Sequence, residues 1–276
     1  MTTLAELAKT APFVRAEIHY VDPNAPIGAH HDTDRSKSTL TVLRQEMRVS
    51  DLRDAPFVLN LNEHGFAVVK RPTRVRDFEN ADEIATTYTR EAEALVRELS
   101  GAEKVVVFGH AVRNASPGMP ARTRKPAYMA HVDYNEETVR GVAKKHLSPD
   151  EYVRRERQRI MLINVWRPIE TVESEPLALC DPRSVMPKDL VHGPIGGQSV
   201  SGIKDAAGFN VAHNPDHRWF YLSRMQPDEV LVFKLCDTDR SKAQLTAHTA
   251  FADPTTLPNA RPRRSIELRT LAFIDA

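Results

Sequence analysis

Cysteine is scarce in this sequence of 276 residues, and so is any excess of charge. Cys180 and Cys236 are the only cysteines, which excludes a disulfide framework and is typical of a reducing compartment. The 38 Lys and Arg residues nearly balance the 37 Asp and Glu residues, leaving a formal net charge of +1. Composition therefore does not indicate nucleic acid as a partner.

Long apolar runs are missing as well. None approaches the roughly 20 residues that a membrane helix needs, and residues 1–6 do not start a basic region followed by an apolar one, as a secretory signal would. Glycine (11) is rarer than proline (19), which favours ordered loops over flexible linkers. We therefore expect a cytoplasmic globular protein that does not enter a membrane.

The spacing of apolar residues predicts helices and short strands. Helices are predicted at 77–99, where apolar residues recur at threes and fours before Gly101, at 136–145 and at 148–158. The predicted strands are 13–21, 45–49, 57–61, 65–69, 104–108, 159–168, 218–223, 230–235, 246–251 and 265–273. A turn at 226–229 indicates a hairpin between its flanking strands. This order favours one α+β domain over 1–276, with a double-stranded β-helix (jelly-roll) core and flanking helices.

Residues 170–216 have little periodicity and many Pro, Gly, Ser and Asp residues. A long irregular segment in a compact domain is usually functional, so we predict a lid or substrate loop here. Several histidines in this and other polar segments are interpreted as loop residues and not as metal ligands: His30, His31, His192, His213 and His217.

The pattern His131-x-Asp133 is a candidate metal site. On a strand, alternate side chains share a face, so an imidazole and a carboxylate would point the same way. One further His would complete the two-His, one-carboxylate triad of non-heme Fe(II) oxygenases. His248, on a later predicted strand, is the candidate third ligand. Taken alone, each has an ordinary alternative, a surface hydrogen-bonded pair or a core histidine.

A polar row on the last predicted strand supports the metal hypothesis. Alternation places Arg263, Ser265, Glu267 and Arg269 on one face. The distal carboxylate of 2-oxoglutarate needs a guanidinium fork and a hydroxyl donor, which Arg263 and Ser265 would supply. Arg264 is the alternative anchor if the register differs by one residue. An exposed basic edge strand is the competing interpretation.

Four stretches together resemble a known family: 130–133, 163–168, 247–254 and 263–269. They are similar to the hydroxylase/desaturase family named after the AsaB and CmcJ proteins, which belongs to the 2-oxoglutarate/Fe(II)-dependent oxygenases of natural-product biosynthesis. The resemblance implies a double-stranded β-helix with His131, Asp133 and His248 as the iron ligands. It also implies Fe(II), 2-oxoglutarate and O2 as reagents, with hydrogen abstraction from a small organic molecule by a ferryl-oxo species.

The positions of other residues near the proposed iron site suggest further roles. Asn164 is expected to contact the C1 carboxylate of 2-oxoglutarate, unless its role is structural. Tyr128 and Trp166 are expected to contact substrate, with a place in the core as the alternative for Trp166. Related halogenases have Gly or Ala where this chain has Asp133, so halogenation is not expected. Hydroxylation, desaturation and oxidative ring formation stay open.

Two readings from other classes compete with the oxygenase. One is a zinc-dependent hydrolase built on the same three ligands. This alternative gives Arg263 and Ser265 no role in binding or catalysis. The other is a metal-free jelly-roll binding protein. The sequence does not define the substrate, which Arg anchors 2-oxoglutarate (Arg263, Arg264 or Arg269), or the oligomeric state, for which a homodimer is one option.

Overall fold

The computed structural model describes residues 3–26, 30–31, 39–119, 123–192, 195–196 and 208–275. The strands are β1 (Phe13–Val21), β2 (His30–His31), β3 (Val42–Asp51), β4 (Phe66–Lys70), β5 (Lys104–Asn114), β6 (His131–Val132), β7 (Arg159–Pro168), β8 (Leu177–Cys180), β9 (Leu190–His192), β10 (Ile195–Gly196), β11 (Phe209–Val211), β12 (Trp219–Tyr221), β13 (Glu229–Asp237), β14 (His248–Ala250) and β15 (Arg264–Ile274). The α-helices are α1 (Leu4–Thr10), α2 (Leu61–His64), α3 (Ala81–Glu83), α4 (Thr89–Ser100), α5 (Glu136–His146) and α6 (Pro149–Arg155).

Two sheets face each other. One has eight strands in the order β1-β3-β12-β8-β14-β6-β11-β9, and the other has five in the order β4-β13-β7-β15-β5. Their facing sides share one apolar cluster, with Leu177 and Leu179 from the first sheet and Phe233 and Leu271 from the second. The predicted α+β architecture around a double-stranded β-helix is confirmed.

The other side of the five-stranded sheet is covered by helix. Val232 and Leu268, which alternate with the inward-facing residues, pack with Leu95 of α4 in a second apolar cluster. Both faces of this sheet are therefore buried, and the polar row on β15 points into the space between the sheets. The predicted alternation on β15 is correct, but this strand is central and not an exposed edge.

A turn of π-helix, Ile84–Tyr88, joins α3 to α4 and brings Tyr88 to a buried arginine. Arg167 on β7 is 2% exposed. It donates hydrogen bonds to the Tyr88 hydroxyl (3.3 Å), the Pro227 carbonyl (2.6 Å) and the Arg71 carbonyl (2.7 Å). One guanidinium thus ties the helix, the end of β4 and the turn before β13 to the sheet.

Several predicted elements differ in the structure. The predicted strand at 57–61 is wrong: Asn60 caps α2 by accepting a hydrogen bond from the Glu63 amide (2.8 Å). The predicted hairpin is also wrong, because β12 and β13 lie in different sheets although the turn between them forms. The irregular segment 170–216 contains the fully buried strand β8. Its residues 193–194 and 197–207 lie outside the described part of the chain.

The helices and remaining strands agree better with the prediction. The helix predicted at 77–99 is confirmed, and Gly101 ends it in a left-handed conformation (φ 71°). Ser148 caps α6 as expected, and β1 and β7 have the predicted bounds. Among the described residues, no helix combines the length and the apolar character needed to cross a bilayer.

The contacts of Arg167 lead to a prediction on stability. Arg167→Met should lower the free energy of unfolding by about 2–4 kcal/mol, because it removes three hydrogen bonds donated by a buried guanidinium, two of them to partly buried carbonyl groups. Urea denaturation followed by circular dichroism measures the change. Arg154→Met on the exposed side of α6 is the matched control and should stay within about 0.5 kcal/mol of the parent protein. Equal effects of the two substitutions would contradict this account.

Candidate active site

The predicted metal ligands converge between the two sheets. β6 and β14 pair antiparallel with His131 directly opposite His248, so both imidazoles lie on the inner face. Their ring centroids are 4.3 Å apart. Asp133 follows β6 and places its carboxylate 3.5 Å from His131 Nε2 and 4.0 Å from His248 Nε2. One ligand atom from each residue fits within a span of 4.8 Å, close enough to hold a single metal ion.

Backbone carbonyl groups orient both imidazoles. His131 Nδ1 lies 2.7 Å from the Met129 carbonyl oxygen, and His248 Nδ1 lies 3.2 Å from that of Thr246. A carbonyl can only accept, so each Nδ1 carries the proton and each Nε2 keeps its lone pair. Both Nε2 atoms point toward Asp133. This is the tautomer that two-His, one-carboxylate ligation requires.

Burial and neighbouring charges favour the ligand forms of these residues. Burial, together with the nearby His131, lowers the pKa of His248 to about 4, so His248 is neutral at physiological pH. Burial acts to raise the pKa of Asp133, but Arg269, His131 and His248 outweigh it and hold this pKa well below its ordinary value. Asp133 is therefore a carboxylate, and no proton has to leave the site before a cation binds.

An alternating row of buried charges supports Asp133. Arg269 Nε lies 3.5 Å from Asp133 Oδ2, and Arg269 Nη2 donates to Glu267 (2.8 Å). Glu267 in turn accepts two hydrogen bonds from Arg113 on β5, at 3.0 and 3.1 Å. Arg113 also donates to the Lys125 carbonyl (2.9 Å). Each charge in this row meets one of opposite sign, which offsets the cost of burying them.

Asn164 lies beside the metal ligands on the same inner face. It is fully buried, and it stands opposite Arg269 on β15 and Phe233 on β13. The Phe233 ring lies 4.8 Å from the His248 ring. Neither the amide oxygen nor the amide nitrogen of Asn164 has a hydrogen-bond partner within the described part of the structure. A buried amide without partners is costly, which is typical of a side chain that binds a ligand.

Arg263 and Ser265 lie farther along the same face. Arg263 is 3% exposed, and its guanidinium lies over the Trp166 ring at 5.5 Å. Burial and the neighbouring Arg113 lower its pKa to about 10, so it is still a cation at neutral pH. The Ser265 hydroxyl is fully buried and has no partner among the described residues. A cation and an unpartnered hydroxyl thus lie on one buried face between the sheets.

Glu175 connects Arg263 to Tyr128. Its carbonyl accepts from Arg263 Nη1, and its carboxylate accepts from the Tyr128 hydroxyl at 2.6 Å. Glu175 has a positive φ of 50°, a conformation that a non-glycine residue adopts at some energetic cost and that is common near functional sites. Arg264 lies elsewhere: it makes ion pairs with Glu170 (2.9 Å) and Glu79 (3.0 Å) on the outside of the barrel.

Known proteins are similar to this chain in sequence and in fold. A family model described as "Oxidoreductase/YMDC permease-like domain" matches residues 18–273. The hydroxylase/desaturase efuI of Hormonema carpetanum is 33% identical over 250 residues, covering 83% of each chain. The Fe(II)/2-oxoglutarate-dependent dioxygenase nvfI of Aspergillus novofumigatus is 31% identical over 239 residues, also covering 83% of each. The solved structure of the iron and alpha-ketoglutarate-dependent endoperoxidase NvfI has a TM-score of 0.82 at 27% identity, covering 96% of this chain and 99% of that one.

This chain belongs to the hydroxylase/desaturase family of Fe(II)/2-oxoglutarate-dependent oxygenases. Of the stretches that carried the resemblance, His131, Asn164, His248 and Ser265 are brought by the fold to one interior face. His217, which was not counted as a ligand, contacts Asp189 (3.2 Å) and the Tyr20 hydroxyl (3.4 Å) instead.

Sequence reasoning missed Arg113, Phe233 and Gly208. No local motif marks Arg113 or Phe233. The pairing of their strands, β5 and β13, with neighbouring strands is what places them at the site. Gly208 precedes β11, which pairs with β6. A Cβ atom there would lie 2.1 Å from the Val132 carbonyl oxygen and 2.9 Å from that of Asp133. Glycine therefore lets β11 approach the backbone that carries two ligands.

Gly208 provides a test of how the backbone positions the metal ligands. Gly208→Ala should weaken metal binding by about tenfold or more, because the new methyl group must displace the Val132–Asp133 backbone. Anaerobic titration with Co(II), followed by its visible absorption, measures the affinity. Gly141→Ala on α5, where a Cβ meets no atom within 4 Å, is the control and should bind Co(II) normally. Normal binding by a folded Gly208→Ala protein would contradict the assignment.

Proposed function

We propose that this protein oxidises a small organic molecule of secondary metabolism, with Fe(II) held by His131, Asp133 and His248. The observation that carries the proposal is the convergence of the two Nε2 atoms and one carboxylate within 4.8 Å, each imidazole fixed in the ligating tautomer by a backbone carbonyl. Such a triad occupies one face of an iron ion and leaves the other positions for reagents.

Arg263, Ser265 and Asn164 are the proposed 2-oxoglutarate residues. A buried guanidinium beside an unpartnered hydroxyl suits the distal carboxylate. Asn164, next to the ligands, suits the end that chelates iron. Arg269 already contacts Asp133 and Glu267, and Arg264 is engaged outside the barrel, so both fit the anchoring role less well. Tyr128 and Trp166 lie beside Arg263, in positions to contact a bound reactant.

Bound Fe(II) with 2-oxoglutarate and O2 supplies an oxidant that removes hydrogen from a C–H bond. The protein supplies the orientation of that bond, the exclusion of water by the apolar walls between the sheets, and the fixed charge of Asp133. Because a carboxylate occupies the position that halogenases leave to halide, hydroxylation, desaturation or oxidative ring formation is the outcome we propose. A zinc-dependent hydrolase would not explain why the polar groups of Ser265 and Asn164 are buried without hydrogen-bond partners among the described residues.

The same proposal covers the organisation of the chain. Residues 1–276 form one oxygenase domain, with a substrate lid within 170–216. Cys180 and Cys236 are both buried and free, in keeping with a cytoplasmic location. Sedimentation velocity on the purified protein tests whether it forms a homodimer.

The iron ligands are tested by spectroscopy without turnover. Anaerobic addition of Fe(II) and 2-oxoglutarate should give a weak visible charge-transfer band, which His131→Ala should abolish because one of three ligands is lost. His217→Ala, at a histidine outside the triad, is the control and should keep the band. A band that survives His131→Ala would remove His131 from the site.

The 2-oxoglutarate anchor is tested by the same band. Arg263→Ala should raise the 2-oxoglutarate concentration needed for half-maximal absorbance by about tenfold or more, because a bidentate cation–carboxylate contact is lost. The Fe(II) requirement should change little. Arg264→Ala is the neighbouring control and should shift the 2-oxoglutarate requirement by less than about twofold. The reverse ranking would move the anchor to Arg264.

A further inference from the structure

A cavity of about 730 Å³ is lined by residues next to the segments that carry the metal ligands: Asn135 lies two residues after Asp133, Leu245 three residues before His248, and Phe209 pairs with Val132. Its inner wall includes Leu235 and Cys236 of β13, Phe209 of β11 and Leu245 ahead of β14. β13 has a bulge between Lys234 and Cys236, and both Leu235 and Cys236 belong to the apolar cluster between the sheets. Bulges commonly re-aim side chains next to active sites, and here the bulge turns two consecutive apolar residues toward one cavity.

β13 defines where this cavity lies relative to the metal. Leu231 stands opposite Trp166, whose ring lies under Arg263, at the proposed co-substrate end. Phe233 contacts His248 at the metal. Leu235 lines the cavity. Along β13, the inward-facing residues Leu231, Phe233 and Leu235 therefore lie at the co-substrate end, at the metal and at the cavity, in that order. The cavity lies on the far side of the metal from Arg263.

The cavity also contains an unused hydrogen-bond donor. Asn135 is 5% exposed and lies two residues after Asp133. Its side-chain oxygen caps α5 by accepting from the Thr138 amide (3.0 Å), but its amide nitrogen has no partner among the described residues. Because Asn135 lines the cavity, this buried and unpartnered N–H group lies next to any molecule that binds there.

The mouth of the cavity is cationic. Arg140, Arg183, Arg240 and Lys242 line it together with one carboxylate, Glu136. Glu136 is paired with Arg240 at 2.7 Å, and Arg183 is paired with Asp181 at 2.9 Å. Within the described part of the chain, Lys242 and Arg140 form no ion pair; Arg140 donates to the Glu156 carbonyl. Lys242 and Arg140 thus face the opening without a carboxylate at ion-pair distance among the described residues, and Lys242 interacts with Asp239 only at longer range.

We infer that this cavity is the substrate site and that the substrate is an organic acid with a mainly apolar body. The body lies against Leu235, Phe209 and Leu245, an oxygen atom accepts from Asn135 near the iron, and the carboxylate meets Lys242 and Arg140 at the mouth. The volume is typical of sites for drug-sized molecules. This inference rests on the proposed function, because it is the metal that makes the cavity a substrate site.

Binding of decanoate and decanamide tests the inference. The two probes share an apolar chain and a carbonyl group, and only decanoate is charged. Isothermal titration calorimetry is done anaerobically on protein loaded with Fe(II) and saturating 2-oxoglutarate, which keeps decanoate away from Arg263. Decanoate should bind at least about fivefold more tightly than decanamide, as expected for contact with solvent-exposed cations.

Variants assign the contacts. Lys242→Gln should weaken the binding of decanoate, and Lys242→Glu should weaken it more. The binding of decanamide should stay unchanged. Asn135→Ser keeps an oxygen that can cap α5 and removes the amide donor, so it should weaken both probes. Arg154→Gln, an exposed cation on α6 outside the cavity, is the control and should change neither.

The outcomes separate this inference from the proposed function. If the charge-transfer band forms, three results overturn the inference and leave the oxygenase assignment intact. Neither probe binds, both bind equally, or Lys242→Glu leaves decanoate binding unchanged. Absence of the band overturns the oxygenase assignment. In that case the calorimetry, repeated on the same protein, still decides whether the cavity prefers an apolar acid.

Discussion

The pairing of two very short strands determines where the active site lies. His131 and His248 share an inner face because β6 and β14 meet in one register, and a shift by one residue would turn one imidazole to the opposite side of the sheet. Strands this short cannot fix their own register. It is fixed by neighbouring bonds: the Ala250 amide donates to the Ala127 carbonyl (2.7 Å), and the Ala130 amide donates to the His19 carbonyl (2.8 Å).

Buried charge is the second constraint on the site. The row from Arg113 through Glu267 and Arg269 to Asp133 alternates in sign, so none of the four charges is isolated in the interior. Removing Glu267 would leave Arg113 without its carboxylate, and removing Arg269 would leave Asp133 without its guanidinium, which usually costs more than the pair contributes. The row also limits the freedom of Asp133, since the Arg269 guanidinium attracts one carboxylate oxygen from 3.5 Å. A ligand held in this way loses little entropy when the metal binds.

The sequence predicted those parts of the site that depend on local patterns. Alternation on β6 and β15 placed His131 with Asp133 and Arg263 with Ser265, because the inner faces of regular strands repeat every two residues. The strand predicted at 57–61 failed because a short apolar run resembles a strand, whereas Asn60 caps a helix there. The predicted hairpin failed because the two sheets separate β12 from β13, and sheet assignment depends on tertiary packing. Arg113 and Asn135 could not be predicted from local patterns. Arg113 meets Glu267 only because β5 pairs with β15, and Asn135 lines the cavity only in the folded chain.

The two proposed anion sites differ in a way that suits their ligands. Arg263 is almost fully buried and stacked on Trp166, so its attraction to a carboxylate is strengthened by the surrounding apolar groups, and it is fixed before the ligand arrives. Such a site suits one small dianion that every reaction cycle uses. Lys242 and Arg140 are exposed at a cavity mouth, where water weakens each contact and long side chains can adjust. An adjustable rim of this kind recognises charge with less demand on shape, while the apolar wall and Asn135 determine which C–H bond of the substrate lies over the iron.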